Sequence, residues 1–266
     1  MAGKRVEPSL QRRVAMRGAS PAKARAAKVT TGTAITGSKR QRSEETRQKI
    51  LDAAEALFAR HGLYGVTVRN VADMAGVDTA LIHYYFDTKL GLFEAVFERR
   101  SGSINQARLQ AMKDYEEQCR ARITVEGAVR AFLRPIFEED RQADEGWRNY
   151  SQLVALANNS QEWGGEMMSR YFDHVIHRLI ALLRLALPDA KEEDLYWSYQ
   201  MLSGALMVIQ ASTGRIERLS GGLCRSDDVE SFGDRLVEFA SAGFRAVCDP
   251  SRWAAIADHV DSKNIH

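Results

Sequence analysis

The sequence has few of the residues that staple or punctuate a chain. Its 266 residues include three cysteines, Cys119, Cys224 and Cys248, and five prolines. Three scattered cysteines exclude a disulfide framework and a Cys-rich zinc site, so the chain reads as one of a reducing compartment whose cysteines pack as small apolar groups. There is no glycine-rich phosphate loop, no nucleophile elbow and no dinucleotide fingerprint, which removes the commonest enzyme signatures. No apolar run near the N-terminus has the form of a signal-peptide core. The longest charge-free stretch, Leu195 to Gly214, is interrupted by Ser198, Gln200, Ser203 and Gln210, whereas a bilayer span needs about 20 predominantly apolar residues. It reads as a buried helix, so no membrane partner is expected. His174 and His177 lie three apart without a carboxylate or cysteine ligand at diagnostic spacing and read as a solvent-facing pair; no metal and no cofactor is expected.

What is present is a charge polarity hidden inside a net charge of +2. Residues 1–42 hold 11 basic and 1 acidic side chains, residues 43–100 hold 7 and 9, and residues 101–266 hold 19 and 25. The first segment lacks aromatics, contains Pro8 and Pro21, and cannot bury enough surface to offset its ordering entropy, so it reads as a disordered basic tail. An Arg-rich, acid-poor leader is also compatible with an organellar transit peptide, or with a start codon upstream of Met16. The remainder, in a chain that is 45% apolar, is long enough for a substantial core.

From Ser43 onward apolar residues recur at helical spacing and no proline occurs until Pro135, so the fold class is all-α. A first helix is expected from about Glu44 to His61, with Ser43 as N-cap, Gly62 beyond its end, and Ile50, Leu51, Ala54, Leu57 and Phe58 on one face. Thr67 should cap a short helix, Val68 to Ala75, closed by Gly76; Asp78 or Thr79 should cap another, reaching Phe86; Asp87 or Thr88 should cap a longer one. Further helices are expected at 103–118, 123–140 with a bend at Pro135, 147–158, 166–187, 192–218 and 228–247. The organisation is therefore a tail (1–42), a three-helix domain (43–98), a larger helical domain (99–250) and a C-terminal tail (251–266).

Two short helices joined through Ala75, Gly76 and Val77 and packed on a preceding amphipathic helix have the lengths and turn chemistry of a helix-turn-helix, whose second helix enters the major groove of DNA. The stretch Thr67-Val-Arg-Asn-Val-Ala-Asp-Met-Ala-Gly-Val-Asp-Thr-Ala-Leu-Ile-His-Tyr-Tyr-Phe-Asp-Thr-Lys89, after Ile50-Leu-Asp-Ala-Ala-Glu-Ala-Leu-Phe58 and His61-Gly62, closely resembles the DNA-binding domain of tetracycline-repressor (TetR) family regulators. The match covers about residues 46–97. The resemblance implies that Arg69 reaches a phosphate or the adjacent base edge, that Thr79 and Ala80 face bases, that His83 and Tyr84 meet phosphates or sugars, and that Lys89 is a point charge for the backbone. Tyr85 and Phe86 read as core. The sequence departs from the family's usual pattern at His83, where tyrosine is commoner, and at Thr79 and Ala80, where longer or more polar side chains are often seen.

The helix-turn-helix segment carries net −2, unlike most DNA-binding domains, and the basic tail is expected to compensate with sequence-independent, salt-sensitive affinity. In residues 166–187 apolar residues come as neighbours, wider than one core-facing stripe requires. With the small residues Ser198, Ser203, Gly204, Ala205 and Ala211 on the next helix, this predicts a homodimer through 166–187 and 192–218, as in TetR-like proteins. Candidate effector-binding residues are Met112, Phe132, Ile136, Tyr150, Leu153 and Tyr171. The shortage of obvious inward basic groups points to an apolar or aromatic small-molecule effector. The expected function is a non-enzymatic, ligand-responsive regulator of the bacterial cytoplasm, a repressor on a palindromic double-stranded DNA operator; the alternative is a helical dimeric binding or scaffold protein without specific DNA recognition.

Overall fold

The computed structural model describes residues 32–120, 122–138 and 144–251, which contain helices and turns and no strand. The expected C-terminal tail, apart from Ser251, and most of the expected N-terminal tail lie outside the described residues. Ten α-helices follow in order: α1 (Gly32–His61), α2 (Val68–Ala75), α3 (Thr79–Phe86), α4 (Lys89–Gln118), α5 (Val125–Leu133), α6 (Glu145–Asn158), α7 (Gly164–Ala186), α8 (Glu192–Gln210), α9 (Arg215–Leu219) and α10 (Val229–Val247). Helix α1 starts at Gly32, so Ser43 lies within it and caps nothing. Residues 32–43 contain no proline, although Thr33, Thr36 and Gly37 are weak helix formers, and extension adds one hydrogen bond per residue fixed once the costly nucleus exists.

The short helices are set by local chemistry. Thr67 and Asn70 form a reciprocal capping box, with the Asn70 amide donating to Thr67 Oγ1 at 3.1 Å and the Thr67 amide to Asn70 Oδ1 at 2.9 Å, satisfying two donors that a helix start otherwise leaves open. Gly76 closes α2 at φ 65°, a left-handed conformation that costs glycine little. Asp78 then accepts from the Ala80 amide at 2.7 Å and Thr88 from the Gly91 amide at 2.9 Å, starting α3 and α4. Between them Asp87 sits at φ 61° and ψ −64°, and the Thr88 amide reaches the Phe86 carbonyl at 2.6 Å. This is a direct γ-turn, rare and strained for a residue with a Cβ.

Helix α4 is the spine. Its first half contributes Leu92, Phe93, Val96 and Phe97 to a core shared with Ile50, Leu51, Ala54 and Phe58 of α1, Val71 and Ala72 of α2, and Ile82 and Phe86 of α3. Phe58 meets Phe93 edge-on, 5.2 Å between ring centres. The helix continues without a break past residue 98, where the expected boundary lay, and Phe97 packs on Tyr150, Tyr171 and Phe172 at 5.4, 5.3 and 5.9 Å. Around its second half lie α5, α6 and α7, with α8 on α6 and α7 and α10 on α5 and α8.

Two expected helices are shorter than their apolar patterns suggested. The α-helix from Val125 stops at Leu133 and tightens into a 3-10 turn, Arg134–Ile136, at Pro135, whose ring denies the next α-helical bond. The helix from Glu192 ends at Gln210, because Ser212 and Gly214 adopt φ 45° and 66°; residues 215–219 form the separate α9. Of the cysteines, Cys248 is buried and Cys119 half-buried, but Cys224 is exposed.

Candidate nucleic-acid interface and internal cavity

Helix α3 is pinned from behind and open in front. Ile82 and Phe86 are buried, and the Tyr85 hydroxyl lies 2.8 Å from Ser43 Oγ and donates to the Ser43 carbonyl at 3.2 Å. That leaves Thr79, Ala80, His83 and Tyr84 exposed, Tyr84 at 79%, with Arg69 exposed on α2. His83 Nδ1 lies 2.9 Å from the Asp87 carbonyl, so the ring closes the helix end and its Nε2 side is left outward. Lys89 is placed differently from its expected role. It is half-buried, its ammonium donates to the Val66 carbonyl at 3.1 Å and lies 5.9 Å over the Tyr64 ring. One of its three donors therefore ties the α1–α2 loop to α4, and only the others are left for a phosphate. Exposed apolar side chains missing from the expected set are Met74 and Leu81, on the same two helices.

Below this surface a charge cluster joins α1 to the rest. Glu55 of α1 is only 3% exposed. Arg99 bridges it to Asp52, donating to Asp52 Oδ1 at 2.6 Å, while Arg100 Nε reaches Glu55 Oε2 at 3.2 Å. A buried carboxylate is tolerated only with such partners. Arg100 also approaches Asp144, the N-cap of α6, at 3.6 Å and stacks 5.0 Å over the Trp147 ring. A Cβ at Gly146 would fall 1.7 Å from an Arg100 nitrogen and 2.7 Å from Glu55 Oε1, so the ends of those two side chains would have to shift to admit one.

Trp147 also lines a partly open cavity of about 50 Å³ among α4 to α8. Of the six candidate effector residues, Phe132, Ile136 and Tyr150 line it; Met112 and Leu153 are fully buried in the surrounding core, and Tyr171 is half-buried against Phe97. The sequence reading missed Arg108. This side chain is 6% exposed, lines the cavity and lies 4.5 Å over the Phe132 ring, so a basic group does face inward. Its signal was Ile104, Arg108 and Met112 at i, i+4, i+8 on one face of α4. The Tyr150 hydroxyl is buried with no hydrogen-bond partner, and burial pushes its ionisation far above the ordinary tyrosine range, with the Arg108 charge opposing. Burial likewise raises Tyr199 across the cavity. Among the described residues no group of three or more His, Cys, Asp or Glu is placed to hold a metal, and His174 and His177 are both exposed.

The second apolar face of α7 has partners in its own chain. Phe172, Val175, Ile176, Leu179, Ile180, Leu182 and Leu183 are all buried against α4, α5, α6 and α8, and the outward residues are mostly polar, among them Arg170, Asp173, His174, His177 and Arg184, with Leu185 near the C-terminal end 60% exposed. The breadth of apolar sequence there reflects a central helix and does not select it for dimer contact. The outward apolar stripe is on α8, with Trp197, Met201 and Val208 at 57, 60 and 73% exposure around Gly204, and it is joined by Phe239 on the adjacent α10 at 72%. Patches of this kind mark interaction surfaces. No helix among the described residues is long and apolar enough to cross a membrane.

Comparisons with known proteins fall on both parts of the chain. Residues 50–96 match the family described as bacterial regulatory proteins, tetR family, and residues 130–243 match the tetracyclin repressor-like C-terminal domain. The chain is 34% identical over 149 residues to the HTH-type transcriptional repressor BepR of Brucella suis, covering 53% of this chain and 66% of that one. It is 34% identical over 79 residues to the HTH-type transcriptional repressor NicS of Pseudomonas putida, covering 30% and 37%. The chain spans only 33 to 42% of the length of the first three curated relatives it matches. A crystal structure of a transcriptional regulator from Pseudomonas aeruginosa superposes with a TM-score of 0.54 at 20% identity, over 77% of this chain and 94% of that one. The fatty acid degradation regulator FadR of Bacillus halodurans does so with 0.52 at 19%, over 75% and 96%.

Proposed function

The chain belongs to the TetR family of bacterial transcriptional regulators, and we propose that it acts in the cytoplasm as a dimeric repressor that a small ligand releases from a palindromic operator. The observation that carries this reading is one helix serving two ends: α4 follows the pinned, outward-facing α3 and walls the cavity. Thr79 and Ala80 then face base edges, Arg69, His83 and Tyr84 the backbone, and Lys89 adds a single contact beside its tie to Val66. A ligand shifts occupancy only by its different affinity for two conformations, and Trp147, Arg100 and Glu55 form a contiguous link between cavity and α1.

Of the two helices expected in the dimer contact, 166–187 and 192–218, the contact is assigned here to the outward stripe of α8 in the second, with Phe239 of the adjacent α10. A second copy is the fitting occupant, because two self-complementary faces of neighbouring helices make a closed four-helix contact. Footprinting should show two half-sites with centres about 34 to 36 Å apart, or a multiple of that; a single asymmetric half-site would overturn the dimeric reading. A gel shift that retained no genomic fragment would leave a helical scaffold protein. Residues 1–31, with 8 basic and 1 acidic side chains, should add salt-sensitive affinity. Their deletion should flatten the plot of log affinity against log salt by about 0.9 for each phosphate released without reordering operator variants. An unchanged slope would make that segment a passive leader.

A further inference from the structure

Seventeen residues line the internal cavity, and among them Arg108 is the one that carries a charge. It is held in place rather than free to reach solvent: it is almost wholly buried, on the Phe132 ring, in the middle of a 30-residue helix. The rest of the lining combines two chemistries. Phe132, Ile136, Val154, Phe172 and Ile176 are apolar, while Tyr150, Tyr199 and Ser203 add hydroxyls, and the charge of Arg108 acts on both tyrosines. The Tyr150 hydroxyl has no partner of its own and, being held protonated by burial, can only donate to an incoming oxygen or accept from a donor. A guanidinium and an idle O–H donor lining one cavity can both donate to a carboxylate, and both bonds are charge-assisted because the acceptor is ionised.

We propose that the cavity takes an organic carboxylate with an apolar body, the carboxylate bound by Arg108 and Tyr150 and the body lying among Phe132, Ile136 and Phe172. This deepens the reading of the cavity as the effector site and rests on it. The size of the cavity adds a second consequence. A cavity volume of about 50 Å³ has room for a few waters, and a dry cavity that accepts benzene is about 150 Å³. A carboxylate with an aromatic body therefore seats fully only as the surrounding helices separate, which couples binding to a change of conformation.

The test uses the full chain and two matched probes, 4-phenylbutanoate and its neutral isostere 4-phenylbutanamide. Calorimetry should show the carboxylate binding at least about tenfold more tightly than the amide, since a hydrogen bond to a charged group exceeds a neutral one by that order. Arg108→Met should abolish this preference, Arg108→Lys should retain part of it, and Tyr150→Phe should weaken the carboxylate more than the amide, whose carbonyl accepts only a neutral bond. Equal binding of both probes, no binding of the carboxylate at millimolar concentration, or an Arg108→Met protein that is folded by circular dichroism and still prefers the carboxylate would each overturn the proposal. A gel shift on the same samples separates the two readings. Arg108-dependent carboxylate binding that leaves DNA occupancy unchanged keeps the anion site and removes the effector role. Release of DNA by the amide alone keeps an effector site and removes the anion.

Discussion

On α3 the side chains that matter face water, and on the distal half of α4 they face each other. Thr79, Ala80, His83 and Tyr84 are exposed above a short helix held by Ile82, Phe86 and Tyr85, while Arg108 and Tyr150 are buried around a cavity with hardly any room. The first surface is left in solvent, where an error of placement costs little stability. In the second, Arg108 and Tyr150 are already desolvated, so in the function proposed above the same atoms bear on both stability and recognition. The two ends are nevertheless built on one core, and substitutions can ask how far that unity goes.

The largest effect is expected at the point where the ends share packing. Phe97→Ala should cost about 4 kcal/mol, in the range for a fully buried phenylalanine, and urea unfolding should remain a single transition. Two transitions would divide the molecule into independent halves and break the comparison. Glu55→Gln should cost about 2 to 3 kcal/mol, since it leaves two guanidinium groups facing a buried amide although both keep some solvent access. Beyond that loss, gel shifts should show ligand and DNA binding becoming less dependent on each other; unchanged coupling would remove Arg100 from the link. Lys89→Ala should cost about 1 kcal/mol of stability for the lost tie to Val66, and should weaken binding to all operator variants alike, lowering the salt slope by about 0.9. A slope equal to that of the parent would make Lys89 a structural residue only. Thr79→Ala should change stability by less than about 0.5 kcal/mol yet alter base preference at one position in each half-site. An in vitro selection that returned the parental preference would take Thr79 out of base reading.

What was legible in the sequence was what is decided within a few residues. Thr67, Gly76, Asp78 and Thr88 each set a helix boundary through a bond to a near neighbour, and α2, α3 and the start of α4 lie where those residues place them. Boundaries without such punctuation were not legible. The start of α1 moved to Gly32 because no proline stands between Gly32 and Ser43 to stop the helix, and the end of α8 came early because Ser212 adopts a left-handed conformation usual for glycine. Facing was harder still. Leu182 and Leu183 are adjacent and both buried because α7 is surrounded, a property of the assembled fold that helical periodicity does not contain. Arg108 is the same problem in reverse: its charge argues for solvent, and only its alignment with Ile104 and Met112 argues for the interior.

Helix α4 contains 30 residues, a length of about 45 Å at 1.5 Å per residue. It reaches from the γ-turn at Asp87 to the wall of the cavity, and its capped end is fixed to the recognition helix by only two intervening residues. A stiff rod of this length works as a lever. A tilt of roughly 5° about one end moves the other by about 4 Å, slightly more than the 3.4 Å between successive base pairs. In the function proposed above, a ligand that tilted α4 by that much would displace α3 by about one base-pair step against its groove.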